Sequence, residues 1–159
     1  MKKLLVLAFP MLLQVVGCAH LIDQKSREMA DRTITFSALR ENPDAYKGKF
    51  IILGGIIAAV RDVQEGTELE VEQHELDSRE APDVTSVSGG RFLATTPEFL
   101  PAATCRAGAL VSMAGEVAGG KVRKLKGADY TYPVIVIKEL HIIKPPDENF
   151  FRTWNPYGP

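Results

Sequence analysis

The chain has 159 residues, 45% hydrophobic and 25% charged, with 19 basic side chains against 20 acidic ones. That length and composition suit one globular domain and exclude a disordered chain or a many-domain assembly. A near-neutral balance lacks the basic excess of a general nucleic-acid binder, and two cysteines cannot build a disulfide framework.

Met1-Lys2-Lys3 is a short cationic start, Leu4 to Leu13 is an apolar run, and Gly17 stands where a signal peptidase would cut. Leu4 to Val16 is shorter than the ~20 apolar residues needed to cross a bilayer, and it carries Pro10 and Gln14. It could also be a buried helix of the mature fold. The order of lysines, apolar run and cysteine argues against that. An ordinary cleavage site needs no cysteine, whereas Val15-Val16-Gly17-Cys18 resembles the lipobox of bacterial lipoproteins. In those proteins the cysteine thiol takes a diacylglycerol, the chain is cut before it, and the new amino terminus is acylated. The resemblance implies a signal peptide over residues 1–17, cleavage between Gly17 and Cys18, and membrane lipid held through acylated Cys18. Such an anchor is nearly irreversible, since each buried methylene contributes ~0.8 kcal/mol and one chain alone is marginal. Ala19, rather than Asp, follows the cysteine; by the sorting rule of enteric lipoproteins this implies the outer membrane. Without residues 1–17 the balance becomes 17 basic to 20 acidic, a net charge of −3.

Residues 18–32 are mostly polar and read as a tether. The barrel domain is expected over 33–146. Near its start, Asn42-Pro43 should stop any short helix begun at Phe36-Ser37-Ala38-Leu39, because the residue before proline avoids the helical region. Phe50 to Val60 is the strongest strand signal, with aliphatic residues at both parities and hence both faces covered. Gly54-Gly55 in its middle predicts a bulge or bend that lets one strand serve two sheets. A turn at Gly66 leads to a second strand, Glu68 to His74. There Leu69 and Val71 should face inward, and Glu68, Glu70, Glu72 and His74 outward into solvent. Arg91 to Thr96 is a third strand, after a polar loop over 77–90. Pro97 to Gly108 is a connector with a short helix expected around Glu98-Phe99-Leu100. Leu110 to Ala118 is the fourth strand, Gly119-Gly120 and the basic stretch after it a turn, and Tyr132 to Ile143 the fifth strand. The pattern predicts an all-β protein: a small five-stranded OB-like barrel with a short helical connector and irregular termini. A sandwich is the competing arrangement. Residues 147–159 form a tail with four aromatics and two prolines, which either packs back on the barrel or meets a membrane or partner.

Few side chains suggest chemistry. Glu68, Glu70, Glu72 and His74 share a strand face and could bind a divalent cation, but an acidic strand face is normally solvated and protects an edge; no metal is expected. Lys121, Arg123, Lys124 and Lys126 are a candidate surface contact, for lipid phosphates or for the acidic strand, with a solvated turn as the plain alternative. Cys105 has no partner once Cys18 is lipidated and reads as a small buried hydrophobe. No nucleophile elbow, Ser-His-Asp spacing or phosphate loop is present, and no cofactor is implied.

In their order and spacing, several short motifs together resemble the starvation-inducible outer-membrane lipoprotein (Slp/YeaY) family. They are Val15-Val16-Gly17-Cys18, Phe36 to Leu39 followed by Asn42-Pro43 and Tyr46-Lys47-Gly48-Lys49, Leu53 to Ile57, Gly89 to Ala94, Gly115-Glu116-Val117, and Glu139 to Ile143. The resemblance covers nearly the whole chain and departs at the C-terminus, where members carry a longer Tyr/Trp-rich tail. It implies a non-enzymatic outer-membrane lipoprotein that supports the envelope under starvation or stress, with its domain in the periplasm. An envelope protein or glycan is the implied partner, and nucleic acid is not. Two other readings stay open. A binding module for an envelope glycan or peptide would show an exposed aromatic cluster on the barrel face. A polymer hydrolase would need facing carboxylates roughly 5 to 9.5 Å apart.

Overall fold

A computed structural model describes residues 20–143. The signal-peptide, lipidation and aromatic-tail expectations (1–17, Cys18 and 147–159) fall outside those residues. Five strands close a barrel in the order β1-β2-β3-β5-β4, with β1 at Phe50–Val63, β2 at Gly66–Gln73, β3 at Gly90–Thr96, β4 at Leu110–Leu125 and β5 at Ala128–Ile143. The neighbours are antiparallel except β3 and β5, whose short parallel pairing of Leu93, Ala94 and Thr95 with Val134, Ile135 and Val136 completes the circle. This is the five-stranded Greek-key barrel of OB type.

β1 makes closure possible because it belongs to two sheets. Its first half, Phe50 to Ile56, pairs with β4, and from Gly55 onward it pairs with β2. The strand bends where the partners change. Gly55 has φ +157, and a Cβ there would stand 1.9 Å from the Glu72 carbonyl oxygen. The expected bend is therefore at Gly54-Gly55, while the bulge itself falls slightly later, between Ile57 and Ala59.

The core is built of apolar side chains. Ile57, Leu69, Val71, Phe92, Ala94, Val111 and Met113 have no measurable exposure. Burying each large side chain contributes roughly 1.5–3 kcal/mol. Helix α2, Phe36–Glu41, lays Phe36 and Leu39 against the cluster, and Phe36 meets Phe92 edge to face at 6.0 Å. Thr35 caps this helix by accepting the Ala38 amide at 3.2 Å; as expected, it ends at Glu41, before Asn42-Pro43. A 3-10 turn follows at Pro43–Tyr46.

Two expectations change. Residues 97–109 contain no helix; Leu100, Cys105 and Ala109 join the core directly from turns, and the helical turns of the protein precede β1 instead. The basic stretch after Gly119-Gly120 is not a turn either. β4 bulges between Val117 and Gly119 and continues to Leu125, and β5 already begins at Ala128. The turn is the two-residue Lys126-Gly127, both with positive φ (49° and 86°), which matches the twist of the strands it joins. The bulge bends the ribbon without ending it, because Val122, Tyr130, Thr131 and Tyr132 go on supplying strand-forming side chains.

Placing a methyl group at the crowded junction of β1 should loosen the whole barrel. Gly55→Ala is expected to cost at least about 2 kcal/mol, read as a fall of roughly 4–8 °C in the midpoint of thermal unfolding.

Candidate functional site

Folding the extended β4–β5 ribbon over the barrel turns the outer face of β2 into a buried charged cluster. Leu69 and Val71 point inward as expected, and Glu68, Glu70 and Glu72 occupy the outer face. That face is not solvated: Glu68 is 3% exposed and Glu70 is 6% exposed. Arg123 grips Glu68 through two nitrogens at 2.5 and 2.8 Å, with Arg61 at 3.6 Å and Lys121 at 3.7 Å behind it. Glu70 accepts from Arg91 at 2.6 Å, from Arg61 at 2.9 Å and from the Tyr132 hydroxyl at 3.2 Å. Glu72 stands farther off, 3.9 Å from Arg91 and 3.8 Å from His74.

The strand registers assemble this set. The β1–β2 hairpin sets Arg61 opposite Glu68, and β2–β3 pairing sets Arg91 opposite Glu72. In the ribbon, Lys121 faces Tyr132 and Arg123 faces Tyr130 across the two strands, so all four share the face turned toward β2. Tyr130 and Tyr132 pack edge to face at 4.6 Å, and the Tyr130 hydroxyl exchanges hydrogen bonds with the Arg91 backbone, accepting at 2.8 Å and donating at 3.2 Å.

Burial alone pushes the Glu68 and Glu70 carboxyls up, but the guanidinium groups outweigh it and hold both below the usual carboxylate range. Burial, reinforced by the Glu70 charge, pushes the Tyr132 phenol up to about 12. Both carboxylates are therefore ionised at neutral pH, Glu68 accepting two hydrogen bonds from Arg123 and Glu70 three from Arg91, Arg61 and Tyr132. Among the described residues no group of His, Cys, Asp and Glu is arranged to hold a metal ion.

Of the four candidate contact residues, Lys121 and Arg123 bind the acidic strand. Lys124 pairs with Asp129 at 2.9 Å in the open, and Lys126 forms the turn. Sequence reasoning missed Arg61, Arg91, Tyr130 and Tyr132. The hairpin register alone could have supplied Arg61, because a two-residue turn after Val63 fixes its place opposite Glu68. Cys105 is 1% exposed, and burial raises its thiol pKa, in keeping with a packed side chain. Large apolar side chains in the open are scattered: Met29, Val63, Val87, Phe99 and Val122. Tyr132 is buried and Tyr130 half-buried, their hydroxyls turned from the ribbon onto Glu70 and the Arg91 backbone.

At the other end of β2 a second polar group ties the N-terminal segment to the barrel. His20 Nδ1 lies 2.9 Å from a carboxylate oxygen of Glu80, Arg32 reaches the other at 3.3 Å, and Ser112 donates to the Glu80 carbonyl at 2.5 Å. The Leu21 amide donates to the Arg79 carbonyl at 3.1 Å, Ile22 is 1% exposed, and the Asp23 amide donates to Glu139 at 2.8 Å. Helix α1 spans Gln24–Met29. From His20 onward, the segment read as a tether is therefore docked. Beside it lies a cleft of about 320 Å³, bordered by Arg32, Phe36, Leu53, His74 and Glu80. His74 Nδ1 donates to the Ser86 carbonyl at 3.1 Å. Its buried Nε2 has no hydrogen-bond partner.

A sequence family described as the outer membrane lipoprotein Slp family matches residues 15–158. The uncharacterized lipoprotein YeaY of Escherichia coli K12 is 29% identical over 165 residues, covering 96% of this chain and 84% of that protein. Among solved structures, the mitochondrial single-stranded DNA binding protein Rim1 of S. cerevisiae is similar over 63% of this chain and 99% of its own, at 15% identity and a TM-score of 0.41. A small single-stranded DNA-binding protein from Streptomyces coelicolor is similar over 60% and 94%, at 13% identity and a TM-score of 0.36. Likeness at this level does not extend to a ligand.

Acid should test the charged cluster. Folding lowers the carboxyl pKa of Glu68 and Glu70, so the unfolded chain takes up protons first. The stability they confer is full above the ordinary value of about 4.3 and is lost as pH falls through the lower folded values. Urea unfolding between pH 7 and pH 3 should show that decline, shallower in Glu70→Gln. At pH 7 the same variant should be about 3 kcal/mol less stable, because Arg91 loses its nearest counter-charge. Lys124→Ala, breaking an exposed pair, should change stability by less than about 1 kcal/mol.

Proposed function

Because the chain belongs to the Slp family of outer membrane lipoproteins, we propose that it is fixed to the outer membrane by acyl groups on Cys18. There it serves as a non-enzymatic envelope protein that supports the cell under starvation or stress, with its barrel on the periplasmic side. The observation that carries this reading is the family match over residues 15–158, which includes the Val15-Val16-Gly17-Cys18 sequence. The thiol of Cys18 supplies the one atom there that can form the lipid thioether. Lipid is thus the first partner, and an envelope protein or glycan the second.

Two features support the absence of catalysis. The carboxylates best placed for hydrolytic chemistry, Glu68 and Glu70, are consumed by Arg123, Arg91, Arg61 and Tyr132. The thiol of Cys105 is buried and held protonated.

The reading as a glycan- or peptide-binding module is less well supported. OB barrels bind such ligands on the face of their second and third strands, and here the ribbon fills that face with the protein's own side chains. An exposed aromatic platform for sugar rings is not found among the described residues.

Replacing Cys18 by Ser should abolish lipid labelling, leave residues 1–17 attached and release the chain from the outer-membrane fraction. Fractionation of cells that express the variant checks this, and a processed, outer-membrane-bound Ser variant would refute the anchor. The stress role predicts that cells lacking the protein survive prolonged starvation less well than cells that carry it. Equal survival would remove that role and leave the anchor standing.

A further inference from the structure

We propose that the docked N-terminal segment fixes which end of the barrel meets the lipid. The end that carries the His20–Glu80 contact and the loop over 74–89 lies against phospholipid headgroups, and the β1–β2 turn after Val63 points away from them. This rests on acylation of Cys18. Its physical basis is the shortness of the link. His20 is already bound to the barrel through Glu80, and the next three residues are held by Arg79, the core and Glu139. Only two chain steps separate Cys18 from His20, so their Cα atoms lie within about 7 Å of each other even at full extension. A barrel on a long flexible linker samples every orientation. One whose wall begins about 7 Å from its lipid attachment does not.

The distances along the strands then place the other end. The dock stands beside Gly54 and Ser112, which pair with each other, and the His74 amide donates to the Gly54 carbonyl. The β1–β2 turn lies beyond Gly66, eight residues back along β2 from His74, or about 26 Å.

At the lipid-facing end the Arg32 and Arg79 side chains are 63% and 68% exposed and available to phosphate oxygens. Each also has an acidic neighbour, Glu80 and Asp77 respectively, and Asp31, Glu75 and Asp83 lie on the same segments. This is no basic patch. Orientation therefore follows from the length of the link, and salt should not change it.

The test uses the full-length acylated protein in vesicles of phosphatidylethanolamine and phosphatidylglycerol that contain a headgroup-nitroxide lipid. A fluorophore is attached at Arg79→Cys or Glu65→Cys in a Cys105→Ala background; Arg32→Cys and Asp62→Cys provide a second pair should either of the first fail to fold. The label at 79 should be quenched several-fold more than the label at 65, equally at low and high salt. Inserting ten Gly/Ser residues between Ala19 and His20 adds a flexible link of roughly 17 Å, and the quenching ratio should fall toward one while the protein still sediments with the vesicles. A ratio near one without the insertion, or a ratio that the insertion leaves unchanged, overturns the proposal. Failure of the acylated preparation to sediment with vesicles overturns the anchor reading on which it rests, and the sedimentation assay reads that outcome separately.

Discussion

Two carboxylates on the outer face of β2 must be kept out of water and kept ionised, and much of the surrounding structure serves that requirement. At an effective dielectric of about 20, opposite charges 4 Å apart attract by about 4 kcal/mol. Burying a charge costs several kcal/mol, so one partner each would leave the balance close to even. Glu68 and Glu70 instead receive donors from β1, β3, β4 and β5. Every strand that touches β2, or folds over it, contributes at least one cation or hydroxyl. The ribbon reaches the face because β4 bulges at Val117–Gly119, and Gly120 is held there by its amide donating to Asp44.

This arrangement separates the barrel's architecture from the use to which such barrels are often put. The same closure that makes an OB-type barrel leaves the outside of β2 and β3 available as a polar groove. Here that groove is occupied from within. The cluster is specific in geometry, with a bidentate Arg123–Glu68 pair and a Tyr130 hydroxyl bonded to the Arg91 backbone holding the ribbon on β2 and β3. It works as an internal seam, and the surface left to the environment is a mixed, mildly acidic one with scattered apolar side chains.

Much of the fold could be read from the chain. Period-two alternation located Leu69 and Val71, and the glycine pair in β1 announced the bend. Asn42-Pro43 marked the end of α2. What could not be read were consequences of tertiary contact. The sequence Glu68, Glu70, Glu72 looks solvated because alternation tells inside from outside of a barrel but not whether the outside is covered. Gly119-Gly120 looks like a turn because a bulge and a chain reversal use the same residues, and only the partner strand distinguishes them. The polar segment from His20 to Arg32 looks like a tether because Ile22, its one fully buried side chain, is a single apolar residue with no periodic company. The comparisons agree with the family that the dispersed motifs resembled; of the charged seam, those motifs contain Arg91 alone.

Burial of Cys105 has a consequence for the life of the chain outside the cytoplasm. The thiolate, not the thiol, attacks disulfides, and burial in the folded barrel both hides this sulfur and disfavours its ionisation. An unfolded copy has neither protection, since its thiol is open to solvent at the ordinary pKa of about 8.5. Folding thus acts as a redox safeguard, and the hazard of mixed disulfides lasts only as long as the barrel is open. The same sulfur is a native reporter: the rate at which a thiol reagent modifies it measures how often the strands part.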